Sequence, residues 1–99
     1  MANRLIVEFT DAVREHPVAY GRKVRTEVLD IPESTEGFST TLAATAGNNI
    51  VSCYAEAPCW IAIGADPDPE DGTQRRFMPA GLMRDFWIDA GERVAVVPD

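Results

Sequence analysis

Four carboxylates crowd one short stretch of the chain, Asp66, Asp68, Glu70 and Asp71, with Gly72 behind them. Hard oxygen donors at alternate positions suit calcium. The match to an EF-hand loop fails at two points. Pro67 and Pro69 stiffen the alternate positions, and Gln74 and Arg75 stand where the distal glutamate belongs. The stretch reads as a rigid acidic hairpin tip kept in water, and no metal ligand is assigned to it. Cys53 and Cys59, with one distant histidine, fall short of a closed four-ligand zinc site. That histidine, His16, is also the single imidazole available as a base for Ser52 or Cys53. A nucleophilic triad needs its base held by a third group, and a loop histidine before Pro17 has none in sight. Sixteen acidic residues offer many carboxylate pairs, but nothing marks one for glycoside hydrolysis. The chain reads as non-enzymatic, with no catalytic residue and no cofactor.

The remaining chemistry is that of contact. Trp60 lies between Cys59 and Ile61 and reads as part of a strand packed on both faces. Trp87 shares its parity with Asp85 and Asp89, while Phe86 and Ile88 take the other. If Phe86 and Ile88 face the core, Trp87 faces outward. Three roles stay open for it: a subunit interface, a second core layer, or a ligand platform. Arg75 and Arg76 either pair locally with the acidic stretch or dock bidentately on the carboxylates of a partner. Trp87, Phe86, Phe77, Met78 and Arg76 are the contact candidates.

Elements that position these residues follow from the spacing of apolar runs. Strand-length runs alternate with Pro, Gly and Asp punctuation from Ile50 to Val97, as in a β-sandwich or barrel. Strands are expected at 4–9, 50–55, 59–64, 83–88 and 93–97, with a threonine-rich strand at 38–44. A long strand is expected within 18–31, with Val18, Tyr20, Val24, Thr26 and Val28 inward and Arg25 and Glu27 in water. Gly21 marks a bulge there, and the chain twists or switches sheets near Asp30. Residues 10–16 read as a loop or a single helical turn ended by Pro17. Turns are expected at 45–49, 79–81 and 90–91. The short connection 55–57 suggests a hairpin. One register sets Cys53 opposite Cys59, and a shifted one puts them on opposite faces. In both they read as reduced, packed thiols. The expectation is an all-β, single-domain antiparallel β-sandwich over 1–99, jelly-roll-like, with seven or eight strands.

Ninety-nine residues make one domain. Such a chain buries roughly 65% of its unfolded surface, enough to fold without disulfides or a metal. Net charge is −7. That argues against nucleic acid and against an anionic membrane surface, since both require clustered Lys and Arg. No apolar run reaches the roughly 18 residues of a membrane span, and residues 1–5 do not read as a signal peptide. Synthesis and folding in a bacterial cytoplasm are expected.

The stretch from Asn49 to Val97 resembles small virion proteins of tailed bacteriophages and gene transfer agents. The matching residues are Ile50-Val51-Ser52-Cys53 and Cys59-Trp60-Ile61-Ala62-Ile63-Gly64, with Asp66-Pro67 after it. Phe77-Met78-Pro79-Ala80-Gly81, the strand around Phe86, and Ala90-Gly91-Glu92-Arg93-Val94-Ala95-Val96 complete it. The resemblance implies a jelly-roll-like virion subunit that works as a head decoration, spike base or fibre attachment. It implies a symmetric homo-oligomer, capsid or other virion proteins as partners, and no active site. The alternative is a monomeric sandwich that binds carbohydrate or another small ligand on Trp60 or Trp87.

Overall fold

The computed structural model describes residues 3–13, 16–19, 24–33, 37–45 and 47–99, with backbone alone for 12–13 and 16–19. In chain order the strands are β1 (Arg4–Thr10), β2 (Ala12–Val13), β3 (His16–Ala19), β4 (Arg25–Asp30) and β5 (Ser39–Thr40). They continue with β6 (Ile50–Ala55), β7 (Cys59–Gly64), β8 (Arg76–Met78), β9 (Met83–Trp87) and β10 (Arg93–Pro98). Sheet one has the order β4-β1-β6-β9 and sheet two the order β5-β10-β7-β8, while β2 and β3 pair as a small ribbon. Every pairing is antiparallel. The chain is therefore an all-β sandwich of two four-stranded sheets.

The core lies between the inner faces. Sheet one contributes Leu5, Val7, Phe9, Val51, Cys53 and Ala55, and sheet two contributes Cys59, Ile61, Met78, Val94 and Val96. Alternation at period two puts them there, and each large side chain contributes roughly 1.5–3 kcal/mol by leaving water. Gly81 and Gly91 hold the turns after β8 and β9 with φ of 77° and 89°, a region that side chains with a Cβ avoid.

Four expectations change. The stretch 55–57 joins strands of different sheets, so β6 and β7 form a corner and not a hairpin. The Arg4 backbone N–H and guanidinium both bind Glu56 there, and the Glu56 N–H donates back to the Arg4 carbonyl at 2.9 Å. That clasp fixes the crossing. Residues 12–13 form a strand and not a helical turn. The strand expected at 38–44 is two residues long. Beyond it, Thr41 N donates to Val94 O at 2.9 Å and Ala44 N to Glu92 O at 2.8 Å, which keeps the chain on β10 without strand geometry. Lastly, β4 has the opposite parity to the one expected. Arg25, Glu27 and Leu29 face inward, and Val28 is 52% exposed. Leu29 sets the inner face because it packs on the core, and the charged pair follows on the same parity. The sheet switch near Asp30 is real, made by the connection from β4 to β5. Tyr20 and the bulge expected at Gly21 lie outside the described residues.

Candidate interaction surface

The outer faces of the two sheets differ. On sheet two, Trp60 stands opposite Phe77 and Val97, and Ala62 opposite Ala95. Ala62, Ala95 and Val97 are buried although they point away from the core. The stretch 65–75 meets this face at Trp60 and Val97. Pro67 and Pro69 are buried, and Glu70 and Arg75 share a surface depression with Val97 and Pro98. The Arg75 guanidinium lies 4.1 Å from the centre of the Trp60 ring, which also takes the edge of Phe77 and donates from Nε1 to Asp99 Oδ1 at 3.1 Å. The expected hairpin tip is thus a strap, its prolines inward and Asp66, Asp68 and Glu70 outward.

Among the described residues no such strap crosses the middle of sheet one. Its pairings align Val28, Ile6, Tyr54 and Met83 in one apolar row across all four strands. Met83 is 62% exposed and Val28 52%. A polar row of Thr26, Glu8, Ser52 and Asp85 follows, and then Ile50 beside Trp87, which is 41% exposed. Large apolar side chains in register on a water-facing sheet are the mark of a contact surface.

The sandwich also has two open sides, where edge strands of different sheets meet. Between β4 and β5, Arg25 stacks 4.1 Å from the Phe9 ring centre and donates to the Ala43 and Leu42 carbonyls. Glu27 accepts from Leu42 N and pairs with Arg25 at 3.1 Å. The Arg25 charge, the Phe9 ring face and the Leu42 and Ala43 backbone groups are thus partnered at this edge, while the Arg25 Nε is buried without a hydrogen bond. Between β8 and β9, Phe86 is flanked by Arg76 and Arg84, each 5.2 Å from its ring centre. Arg84 donates to the Phe77 carbonyl at 2.9 Å, while Arg76 pairs with no carboxylate among the described residues. A groove of about 420 Å³ opens there, bordered by Arg76, Phe86, Asp85, Trp87 and Glu92.

Three of the five contact candidates, Trp87, Phe86 and Arg76, thus meet at one groove. Phe77 lies apart, against Trp60. Met78 is a correction: it is fully buried in the core, because the parity that turns Phe77 outward turns its neighbour inward. Reading the sequence missed Ile6, Tyr54, Met83, Val28 and Arg84. The first four come together only through strand register, which leaves no local signal.

The nucleophile candidates do not converge. Ser52 faces outward and Cys53 inward on adjacent positions of β6. Burial pushes the Cys53 thiol up to about 12, with Cys59 and Asp85 adding to it, so a thiolate is disfavoured. Burial and then Asp99 push Cys59 up to about 11. Both thiols are free. The His16 side chain lies outside the described residues. In the strap, Asp71 is held below its usual range by the Thr73 N–H and hydroxyl, and Asp68 caps the Glu70 N–H. No group of three His, Cys, Asp or Glu positioned for a metal occurs among the described residues. What the geometry offers is a partly exposed apolar row on sheet one that continues, around Asp85 and Trp87, into a groove bordered by Arg76, Phe86 and Glu92. Comparison with family models, with curated proteins and with solved structures finds no match to this chain.

Proposed function

We propose that this chain is a non-enzymatic structural subunit of a tailed-phage virion or phage-like particle, assembling as a symmetric homo-oligomer through the outer face of sheet one. The observation that carries the assembly is the apolar row Val28, Ile6, Tyr54 and Met83, with Trp87 beside it: Val28, Met83 and Trp87 are exposed, and Ile6 and Tyr54 half-buried, on the outer face of sheet one. Burying such a row gives roughly 25 cal/mol per Å² of apolar surface. The virion setting, on the head, rests on the resemblance of residues 49–97.

The strand order supports a jelly-roll reading of the sandwich. With the small ribbon set aside, both sheets have the order of an eight-stranded jelly roll whose last strand has moved to the front of the chain. β1 lies between β4 and β6, where a strand following β10 would lie. Asn3 and Asp99 border the same surface depression, so the two ends are near each other.

Light scattering on the purified protein tests the assembly. A discrete closed oligomer is expected for the native chain. Met83→Glu and Trp87→Ala are expected to give monomers with unchanged circular dichroism. A native monomer at high concentration, or loss of the β signal in Trp87→Ala, overturns the reading.

A further inference from the structure

We infer that the free edge of β9 pairs antiparallel with β9 of a second copy of this chain, about a two-fold axis at Asp85. The pairing joins sheet one of each copy into a single continuous sheet. The inference deepens the proposed self-assembly and rests on it. The phase of the ladder fixes which backbone groups are available. Glu56 N donates to Arg4 O at 2.9 Å, and Ile88 N donates to Asn49 O at 3.1 Å. Neighbouring positions of a strand bond to opposite sides. Ser52 and Tyr54 of β6 therefore bond to β1, and Val51 and Cys53 bond to Phe86 and Arg84 of β9. Met83, Asp85 and Trp87 then aim their backbone N–H and C=O groups away from β6. Among the described residues no strand of sheet one lies beyond β9. An edge with its backbone groups aimed outward is a template for another strand.

The neighbouring edges are engaged. On β8 the Phe77 carbonyl is taken by the Arg84 guanidinium at 2.9 Å. On β4 the Asp30 carbonyl is taken by Ser39 Oγ at 2.8 Å. Open space adjoins β9 instead, where Asp85, Phe86 and Trp87 border the groove.

The register of the outer face selects a second β9 as the strand that fits. With Asp85 opposite Asp85 of the copy, Met83 stands opposite its Trp87. The apolar row Val28, Ile6, Tyr54 and Met83 of one copy then runs on into Trp87 and Ile50 of the other, and the two-fold repeats the join. A shift of two residues either way sets Met83 against Asp85 or Asp89 and breaks that line. On the opposite face the same register sets Arg84 against Phe86 of the copy. That is a non-hydrogen-bonded pair, where side chains approach most closely, and a guanidinium on an aromatic ring is favourable there. The polar row Thr26, Glu8, Ser52 and Asp85 continues into its own copy. Its two aspartates meet at the axis, and like charges directly opposite weaken the pair, which makes the contact reversible. The interface is isologous, and it doubles the length of the apolar face that sheet one offers.

Asp85→Cys tests the register. The axis sets the two introduced thiols on a hydrogen-bonded pair, with Cα atoms about 5.5 Å apart and within disulfide reach. With oxidised glutathione, Asp85→Cys is expected to give a covalent dimer on non-reducing gels. Thr26→Cys, at the other end of the same polar row, is expected to give none. Asp85→Pro removes the outward N–H and leaves the ladder to β6 intact, a substitution that edge strands accept. It is expected to weaken association about tenfold or more by analytical ultracentrifugation, because both bonds of the central pair are lost. Asp85→Asn keeps the N–H and removes the charge, and is expected to tighten association about threefold. Circular dichroism melts verify folding, and if Asp85→Pro does not fold, Asp85→Asn and Asp85→Cys decide. Absence of a covalent dimer with Asp85→Cys, a covalent dimer with Thr26→Cys alone, or weaker association of Asp85→Asn overturns the inference. Val28→Glu lies three strands away from this edge and separates it from the broader reading. If Val28→Glu dissociates the oligomer while the Asp85 variants leave it unchanged, the sheet-one face contact stands and the edge contact falls. If the native protein is itself monomeric, both fall.

Discussion

Trp60 and Trp87 are the same residue on the outward parity of two packed sheets, yet one is half-buried and the other exposed. Trp60 has an arginine on its ring face, a phenylalanine at its edge and a carboxylate on its indole nitrogen. Trp87 stands 41% exposed at the end of an apolar row. The difference lies in the connections. The stretch between β7 and β8 is long, carries two prolines and returns across its own sheet. The corners between β8 and β9 and between β9 and β10 are short and leave sheet one uncrossed. Loop routing and strand composition differ together: the face beside the long stretch is apolar, and the other carries the polar row of Thr26, Glu8, Ser52 and Asp85. The open sides repeat the contrast. Arg25 meets an acid, a ring and two carbonyls, whereas Arg76 meets the Phe86 ring and pairs with no carboxylate among the described residues.

Two valines put a number on that contrast. Val97→Asp sets a charge beneath the strap at a position 2% exposed, and is expected to cost ~3 kcal/mol or more in urea unfolding. Equal tolerance at Val28 and Val97 would mean that the strap does not seal its face. Next comes the edge at Arg25. Arg25→Ala strips Phe9 of its cover and leaves the Ala43 carbonyl without its Arg25 donor, an expected loss of about 1–3 kcal/mol, while Arg76→Ala stays within about 0.5 kcal/mol. Equal losses would erase the distinction between the edges.

The inner faces, by contrast, are alike, and the cysteines report on them. Each sheet buries one thiol, with values raised to about 12 and about 11. The folded state therefore keeps protons that the unfolded chain releases near the ordinary thiol value of about 8.5. Stability is full below that value and falls as pH rises toward 11 and 12, by about 1.4 kcal/mol per pH unit for each thiol. Urea midpoints between about pH 8 and 10 measure it, and Cys53→Ala is expected to halve the slope. The smallest effect is on the bare face, where Val28→Asp is expected within about 0.5 kcal/mol of the native subunit.

Much of the fold was legible because strands with one wet face write their parity into the chain. Residues 50–55 and 59–64 have the expected bounds, and the outward turn of Trp87 follows from Phe86 and Ile88. What escaped reading depends on partners. A three-residue connection serves a hairpin or a corner equally well, and only sheet membership tells them apart. The inward Arg25 and Glu27 look like a solvent face until Phe9 and the Leu42 backbone are placed opposite them. Met78 carried no local mark of burial beyond its alternation with Phe77. The apolar row on sheet one is spread over four strands distant in sequence, so no window contains it.

The clasp between Arg4 and Glu56 has a kinetic consequence. It locks the start of the first strand made to a corner completed some fifty residues later, and β1 sits between β4 and β6, both synthesised after it. During translation β1 can pair with β4 first, but its other edge stays open until β6 has left the ribosome. Such long-range closure places folding in the milliseconds-to-seconds range expected of all-β topologies. Over that interval one edge of β1 is unpaired, the period in which the chain is most open to aggregation and to chaperone capture.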